Sequence, residues 1–215
     1  RSPYELIQLY PDYTNETESP RTYHRWTLLS AIGTLLGRQC WVPFGHWKIY
    51  PNQYVLLVGS PGARKGSSIS VGKKFLAELE YPFFGPDKAA KETIWYEMAR
   101  MAGQLNGEET DLLGDPDIDE DILLLDEPSA KSSSIAQMYI CADEFTAFTG
   151  YGNEEFIINL TNLWDNLDSY KNPKLRSESV MVYNPTINIL SGSTPENLAD
   201  ALPRSAFGSG FTSRL

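Results

Sequence analysis

The sequence has few cysteines, few histidines and no long apolar run, and each shortage excludes a class of protein. Only Cys40 and Cys141 occur among 215 residues, which excludes a disulfide framework and agrees with a reducing cytoplasm. His24 and His46 are isolated and have no partners at metal-ligand spacing. No apolar stretch approaches the roughly 20 residues that a membrane span needs, and we expect no signal peptide. These features predict a cytoplasmic protein with no membrane partner.

Basic residues are absent from one segment of the chain. Residues 106–127 contain ten acidic side chains and neither Lys nor Arg. The whole chain has a net charge of -10, yet 18 acids face 18 bases outside this segment. The acidity is therefore local, and we expect the segment to be a surface loop. The charge neither indicates nor excludes a nucleic-acid site elsewhere.

The first 50 residues predict a helix followed by a hairpin. Residues 20–38 read as a helix, with Pro20 in its first turn and Gly37 near its end. Its expected apolar face consists of Trp26, Leu29, Ile32 and Leu36. The aromatic and β-forming residues 39–50 predict a short hairpin. We treat residues 1–50 as an N-terminal extension.

The remainder alternates between apolar strands and helices, which predicts an α/β fold with a parallel sheet flanked by helices. Buried strands are expected at 54–59, 138–144 and 186–193, and helices at 66–80, 88–105 and 153–168. Asn153 is expected to cap the last helix, and residues 171–183 to form a hairpin. The predicted core is 51–215, and we expect a further strand beyond its C-terminus.

The segment YVLLVGSPGARKGSS, residues 54–68, reads as a strand, a glycine-containing loop and the start of a helix. Such a loop can direct backbone N–H groups at phosphates, and the helix N-terminus adds positive potential. Lys65 can reach the β and γ phosphates of a nucleotide. The expected phosphate-binding residues are Gly59, Ser60, Pro61, Gly62, Ala63, Arg64, Lys65, Gly66, Ser67 and Ser68. The alternative is an ordinary tight turn between a strand and a helix.

This loop departs from the usual pattern G-x-x-x-x-G-K-[ST] at two positions. Arg64 stands where the second glycine belongs, and Gly66 stands where the hydroxyl belongs. The hydroxyl that would ligate Mg²⁺ is therefore displaced, and we favour Ser67 over Ser68 as the metal ligand. Gly62 is expected to provide the flexibility of the loop.

Two pairs of carboxylates follow apolar runs and could serve a nucleotide site. An Asp at a strand end can hold Mg²⁺, and an adjacent Glu can polarise the attacking water. The first pair is Asp126 and Glu127, in the acidic segment; the second is Asp143 and Glu144. We favour the second pair because an aromatic loop, a capped helix and a third strand follow it.

Three further candidates lie downstream. Ser193, at the end of the third strand, could sense the γ-phosphate, and Thr194 before Pro195 could simply cap a helix. Arg214, with Arg204 second, could reach the nucleotide of a neighbouring subunit, although a surface ion pair is the simpler interpretation. Lys171, Lys174 and Arg176 could contact nucleic-acid phosphates or lie at a solvated hairpin tip.

Taken in order, PNQYVLLVGSPGARKGSS, YICADEFTAF, NPTINILSGSTPENL and GSGFTSRL resemble the ATPase domain of phage and mobile-element replication helicases. These are P-loop NTPases of a primase-helicase type, close to the RecA-like and AAA+ groups. The resemblance covers most of residues 20–215, but not the acidic segment. It implies hydrolysis of ATP with Mg²⁺, a homo-oligomeric ring, expected to be a hexamer, and single-stranded DNA in a central channel.

The resemblance also implies roles for individual residues. It places Lys65 on the phosphates, Asp143 on the metal, Glu144 on water, Arg214 on the neighbour's nucleotide and residues 171–176 near DNA. The alternatives are a nucleotide-gated assembly or loading ATPase that does not unwind DNA, and an ABC-like or packaging motor that uses Asp126 and Glu127.

Overall fold

A computed structural model describes residues 3–86, 91–104, 134–171, 181–208 and 210–215. The helices are α1 (Pro3–Tyr13), α2 (Arg21–Leu36), α3 (Lys65–Glu78), α4 (Lys91–Met101), α5 (Phe145–Thr149), α6 (Glu154–Trp164), α7 (Pro195–Ala201) and α8 (Arg204–Gly208), with a final 3₁₀ turn at Thr212–Arg214. The strands are β1 (Val42–Phe44), β2 (Trp47–Ile49), β3 (Tyr54–Val58), β4 (Gln137–Ala142), β5 (Ser169–Lys171), β6 (Met181–Tyr183) and β7 (Thr186–Ser193).

Three of these strands form a parallel sheet in the order β3-β7-β4. All residues of the central strand β7 are buried, and so are all residues of β4. Burial on both faces explains why the sequence shows continuous apolar runs here rather than alternation. The prediction of three strands in a parallel sheet flanked by helices is confirmed.

Helices cover both faces of the sheet. Successive side chains of each strand point to opposite faces, so one strand contributes to both helical layers. Met138 and Ile140 join one core with α4 to α8, whereas Tyr139 and Cys141 join a second core with α2 and α3. Residues 21–36 are thus an integral helical layer on the sheet. The predicted division of the chain at residue 50 stays a prediction. Within the described residues, no helix has the length and apolar character to cross a membrane.

Helix α6 ends four residues earlier than the sequence predicted. Its N-terminus is as expected, because the Asn153 side chain accepts a hydrogen bond from the Phe156 N–H. The helix stops at Trp164, and Asn166 takes a left-handed φ of 51° that no helix continues through. Leu167 therefore lies beyond the helix and is exposed.

The predicted apolar face of α2 exists but points away from the core. Trp26, Leu29 and Leu36 are 48%, 40% and 41% exposed, so these residues lie outside the core. The side of α2 that packs on the protein consists mostly of small or polar residues, with Leu28 as its one large apolar side chain. Periodicity identified the apolar stripe correctly, but it cannot tell what covers that stripe.

The predicted hairpin at 39–50 is present as β1 and β2, paired from Val42↔Ile49 to Phe44↔Trp47. Every residue of both strands is exposed. Directly paired residues share a face, so Val42, Phe44, Trp47 and Ile49 form one outward apolar face. The second predicted hairpin is confirmed as the antiparallel pair β5 and β6, and the residues between them lie outside the described part.

The C-terminal segment contributes to the core through Phe211. Its ring is fully buried, 6.2 Å from the Tyr54 ring and 6.3 Å from the Phe145 ring. Tyr54 begins β3 and Phe145 begins α5, so Phe211 ties the end of the chain to the sheet.

We expect Phe211→Ala to lower the free energy of unfolding by about 3 kcal/mol, because it leaves a cavity in the core. Phe207→Ala is the matched control, since Phe207 is 66% exposed and should change stability by less than about 0.5 kcal/mol. Urea denaturation of both variants measures the difference. Equal losses in the two variants would contradict the role of Phe211.

Candidate functional site

The loop between β3 and α3 is built around two residues with positive φ. Gly62 has φ of 83° and follows Pro61, and the Ala63 N–H donates to the Ser60 carbonyl at 3.1 Å. Proline followed by glycine is the usual sequence of a type II turn. The loop is therefore a short, defined turn rather than an open segment.

Arg64 is the second residue with positive φ, at φ 57° and ψ 29°. This is the left-handed conformation that glycine adopts most easily. The position where the pattern expects a second glycine thus keeps a glycine-like conformation despite carrying arginine. The arginine therefore stands at a position whose backbone conformation suits glycine.

Helix α3 begins immediately after Arg64 and points its N-terminus at the loop. The Arg64 carbonyl accepts a hydrogen bond from the Ser68 N–H at 3.4 Å. The N–H groups at the first positions of a helix have no acceptor inside the helix. Together with the helix dipole they provide a site suited to an anion.

The Lys65 side chain folds back over the loop. Its Nζ donates to the Gly59 carbonyl at 2.6 Å and to the Ser60 carbonyl at 3.0 Å. The ammonium group therefore lies above the turn, beside the N-terminus of α3. The Lys65 ammonium group and the N-terminus of α3 thus both lie next to the loop.

Asp143 and Glu144 follow β4 and reach the same edge of the sheet. A Cβ added to Gly66 would lie 3.5 Å from Asp143 Oδ1, so the carboxylate lies beside the first turn of α3. A Cβ on Gly192 would lie 2.6 Å from the Asp143 carbonyl oxygen and 3.5 Å from Lys65 Cβ. Only glycine at 192 permits this close approach of β7, Lys65 and Asp143.

The two candidate metal-binding hydroxyls, those of Ser67 and Ser68, lie in different surroundings. Ser67 lines an open cleft of about 410 Å³ together with Asp143, Gly66, Cys141 and Lys73. Ser68 is buried, and its hydroxyl lies 3.0 Å from the Thr27 hydroxyl and 3.3 Å from His24 Nδ1. The side chain of Ser68 thus packs against α2, and Ser67 is the hydroxyl on the side of the carboxylate.

A magnesium ion at this cleft would depend on few protein ligands. Within the described ranges, no group of three or more His, Cys, Asp or Glu side chains comes together. Mg²⁺ commonly takes one or two protein ligands and completes its shell with phosphate oxygens and water. Ser67 and Asp143 fit that requirement, whereas they would be a poor site for a metal held by protein alone.

Ser193 and Thr194 have different partners: Ser193 contacts the candidate site, and Thr194 caps a helix. The Ser193 hydroxyl donates to Glu144 Oε1 at 3.0 Å. Thr194 caps α7 by accepting from the Asn197 N–H at 3.1 Å. Ser193 is therefore available to orient Glu144, because its neighbour satisfies the helix.

Arg214 lies at the opposite end of the strands. Its Nη2 is 2.9 and 3.1 Å from the carboxylate oxygens of Asp165, and its guanidinium lies 5.5 Å from the Trp164 ring centre. The Trp164 carbonyl accepts from Asn52, which precedes β3, whereas the loop follows β3. A five-residue strand is roughly 16 Å long. Arg214 is thus separated from the Lys65 site of its own chain.

Several predicted residues cannot be placed. Lys174, Arg176, Asp126 and Glu127 lie outside the described residues, as does the acidic segment. Only the backbone of Lys171 is described, paired with Met181. The choice between the two carboxylate pairs stays a prediction.

Sequence reasoning missed three residues that contact the loop from residues 18–23. Tyr23 Oη donates to the Val58 carbonyl at 2.8 Å, and Ser19 Oγ donates to the Arg64 carbonyl at 3.0 Å. The Glu18 carboxylate pairs with the Arg64 guanidinium at 2.5 Å. No motif marks these residues, because each contact spans more than 30 positions of the chain.

Comparison of the chain with protein-family profiles, with curated proteins and with solved structures gave no match.

His24 makes the junction between α2 and α3 sensitive to acid. Burial lowers the pKa of His24 from 6.5. The unfolded chain then binds a proton more readily than the folded one, so stability is retained above pH 6.5 and falls below it. We expect His24→Gln to reduce this loss between pH 7 and 5, measured as the free energy of unfolding. The exposed His46→Gln is the control, and an equal effect in that variant would contradict the assignment.

Proposed function

We propose that this chain is a Mg²⁺-dependent ATPase of the P-loop type, and the motor domain of a ring-shaped DNA helicase or translocase of a phage or mobile element. The observation that carries the ATPase part is the convergence at one sheet edge. The loop with its left-handed Arg64, the N-terminus of α3 and Lys65 lie beside Asp143, and Glu144 bonds to Ser193 at the end of the neighbouring strand β7. Positive donors for phosphates thus lie opposite carboxylates suited to a metal ion and a water molecule.

Each group has a defined task in the proposed reaction. The loop N–H groups and Lys65 hold the β and γ phosphates, and Ser67 with Asp143 hold Mg²⁺, which neutralises phosphate charge. Glu144, oriented by Ser193, accepts a proton from the attacking water. The water oxygen forms a bond to the γ-phosphorus while the bond between the γ-phosphorus and the β-γ bridging oxygen breaks. The products are ADP and phosphate.

The ring part of the proposal rests on Arg214 and on exposed apolar surface. Arg214 is remote from Lys65 of its own chain, so a role in phosphate chemistry requires a second copy. The hairpin β1–β2 exposes Val42, Phe44, Trp47 and Ile49 on one face, by 63%, 67%, 75% and 49%. A contiguous apolar face of this kind on a protein surface usually marks an interaction site.

The hairpin and Arg214 lie on the same side of the molecule. Arg38, at the base of the hairpin, donates to the carbonyls of Asn166 and Leu167 and stacks on Tyr50. Arg214 pairs with Asp165 of the same segment. A neighbouring copy that meets Arg214 would therefore lie close to the hairpin, and we take a second copy as the occupant of this face.

The DNA part of the proposal comes from the sequence resemblance and from Lys171, Lys174 and Arg176. We propose that these basic side chains contact single-stranded DNA in the channel of the ring. We also propose that the protein works in the host cytoplasm.

Purified protein should hydrolyse ATP only with Mg²⁺, and single-stranded DNA should accelerate turnover. We expect Lys65→Ala to weaken nucleotide binding, and Glu144→Gln to lower kcat about 100-fold or more while nucleotide still binds. Glu127→Gln is the matched control and should retain activity. Loss of turnover in Glu127→Gln alone would overturn the choice of carboxylates. Hydrolysis that ignores DNA would favour the loading ATPase over the helicase.

Replacing Phe44 and Trp47 together by serine should reduce self-association, because it removes the two largest side chains of the exposed face. Light scattering coupled to size-exclusion chromatography, with Mg²⁺ and a slowly hydrolysed ATP analogue, measures the mass. Leu79→Ser is the control, since Leu79 is 53% exposed at the end of α3 and far along the chain from the hairpin. An assembly that survives the hairpin substitutions places the interface elsewhere.

A further inference from the structure

Both ends of the β3–α3 loop are held by a short segment more than 30 residues earlier in the chain. At the first end, Tyr23 Oη donates to the carbonyl of Val58, the last residue of β3, at 2.8 Å. At the second end, Ser19 Oγ donates at 3.0 Å to the carbonyl of Arg64, the residue before α3. Glu18 pairs with the guanidinium of the same Arg64.

The second contact stabilises an unfavourable backbone conformation. Arg64 is in the left-handed region, where the Cβ of an ordinary residue is crowded. Surrounding structure has to enforce such a conformation in a residue other than glycine. Ser19 is 6% exposed and bonds to the carbonyl that also accepts from the Ser68 N–H of α3, so it fixes the Arg64 peptide where the loop becomes α3.

The first contact leaves no space at Gly59. A Cβ built on Gly59 would clash with Tyr23 Oη, so the tyrosine hydroxyl lies directly against the first loop residue. Tyr23 thereby fixes the point at which the chain leaves β3. The two contacts thus fix the loop at both of its ends.

We propose that Ser19 and Tyr23, assisted by Glu18, are positioning residues that hold the loop in the shape that accepts a nucleoside triphosphate. This inference rests on the proposed function, because it assigns the residues to the same site. None of the three belongs to the expected phosphate-binding residues; they act through Val58, Gly59 and Arg64. The Glu18 pair is largely exposed, with the Arg64 side chain 55% and the Glu18 side chain 73% accessible, so it contributes least.

This assignment explains how the chain tolerates arginine at the position of the second glycine. A glycine would adopt the left-handed conformation unaided. Arginine requires an external constraint, and residues 18–23 provide one. The inference therefore predicts that Ser19 matters only while residue 64 is not glycine.

Equilibrium binding of a fluorescent ATP analogue with Mg²⁺ to the full chain tests the proposal. We expect Ser19→Ala to weaken binding roughly fivefold, the effect of losing one hydrogen bond to a partly buried carbonyl. Ser19→Thr keeps the hydroxyl and should restore most of the affinity. Ser30→Ala is the matched control, because Ser30 is a buried serine of α2 that bonds to Tyr139 instead of the loop. An equal loss of affinity in Ser30→Ala would mean that general destabilisation explains the loss in Ser19→Ala, and it would overturn the proposal.

The Arg64→Gly background provides the decisive comparison. With glycine at 64, Ser19→Ala should change affinity by less than about twofold, because the left-handed conformation no longer needs support. The same fivefold loss in both backgrounds would show that Ser19 does not act through Arg64. Thermal stability measured in parallel should fall to a similar extent in both backgrounds if Ser19 only packs.

Amide hydrogen exchange separates failure of this inference from failure of the proposed function. If the wild-type chain binds no ATP analogue, the ATPase proposal fails. Exchange at residues 59–68 still tests the constraint, because no nucleotide is needed for it. Faster exchange there in Ser19→Ala, and not in Ser30→Ala, supports the positioning role. Unchanged exchange would overturn it.

Discussion

The whole site depends on the register of one buried strand. β7 lies between β3 and β4, and it pairs Val58 with Ser193 on one side and Ala142 with Ser191 on the other. These pairings bring the ends of β3 and β4 to the same edge of the sheet, so the loop and the carboxylates meet there. The Ser191 hydroxyl donates to the Ala142 carbonyl at 2.7 Å, and Gly192 lets Lys65 and Asp143 approach. A shift of one residue in either pairing would exchange the faces of the strand and separate these groups.

What the sequence could predict follows from short-range patterns. Continuous apolar runs identified β3, β4 and β7, because strands buried on both faces have no polar side. Asn153 and Thr194 were recognisable as caps because their side chains bond within three residues. The convergence of Lys65, Asp143 and Glu144 could also be expected, since parallel strands end at one edge. The strands and caps are each encoded within about ten neighbouring residues, and the convergence follows from the parallel order of the strands.

What the sequence could not predict depends on contacts between distant segments. The outward face of α2 looked like a core face because periodicity does not reveal the packing partner. In the structure Gly72 of α3 leaves no room for a Cβ beside Thr27, so small residues face each other where the helices cross. The left-handed conformation of Arg64 was equally hidden, because arginine normally avoids it. Only the position of Ser19, 45 residues away, makes it understandable.

Two arginines at the far edge show how burial distinguishes a structural contact from an exchangeable one. The Arg38 side chain is 6% exposed and bonds to the carbonyls of Asn166 and Leu167, so moving their carbonyls away would leave a buried guanidinium without these partners. The Arg214 side chain is 20% exposed and its partner Asp165 is 46% exposed, so solvent screens their attraction. The Arg214 Nη1 also donates to the Gly210 carbonyl at 2.9 Å. A phosphate group carries more charge than a carboxylate and would attract the exposed part of the guanidinium more strongly. Of the two, Arg214 therefore has the ion pair that is easier to exchange, as its proposed role toward a neighbouring copy requires, whereas Arg38 holds the edge in place.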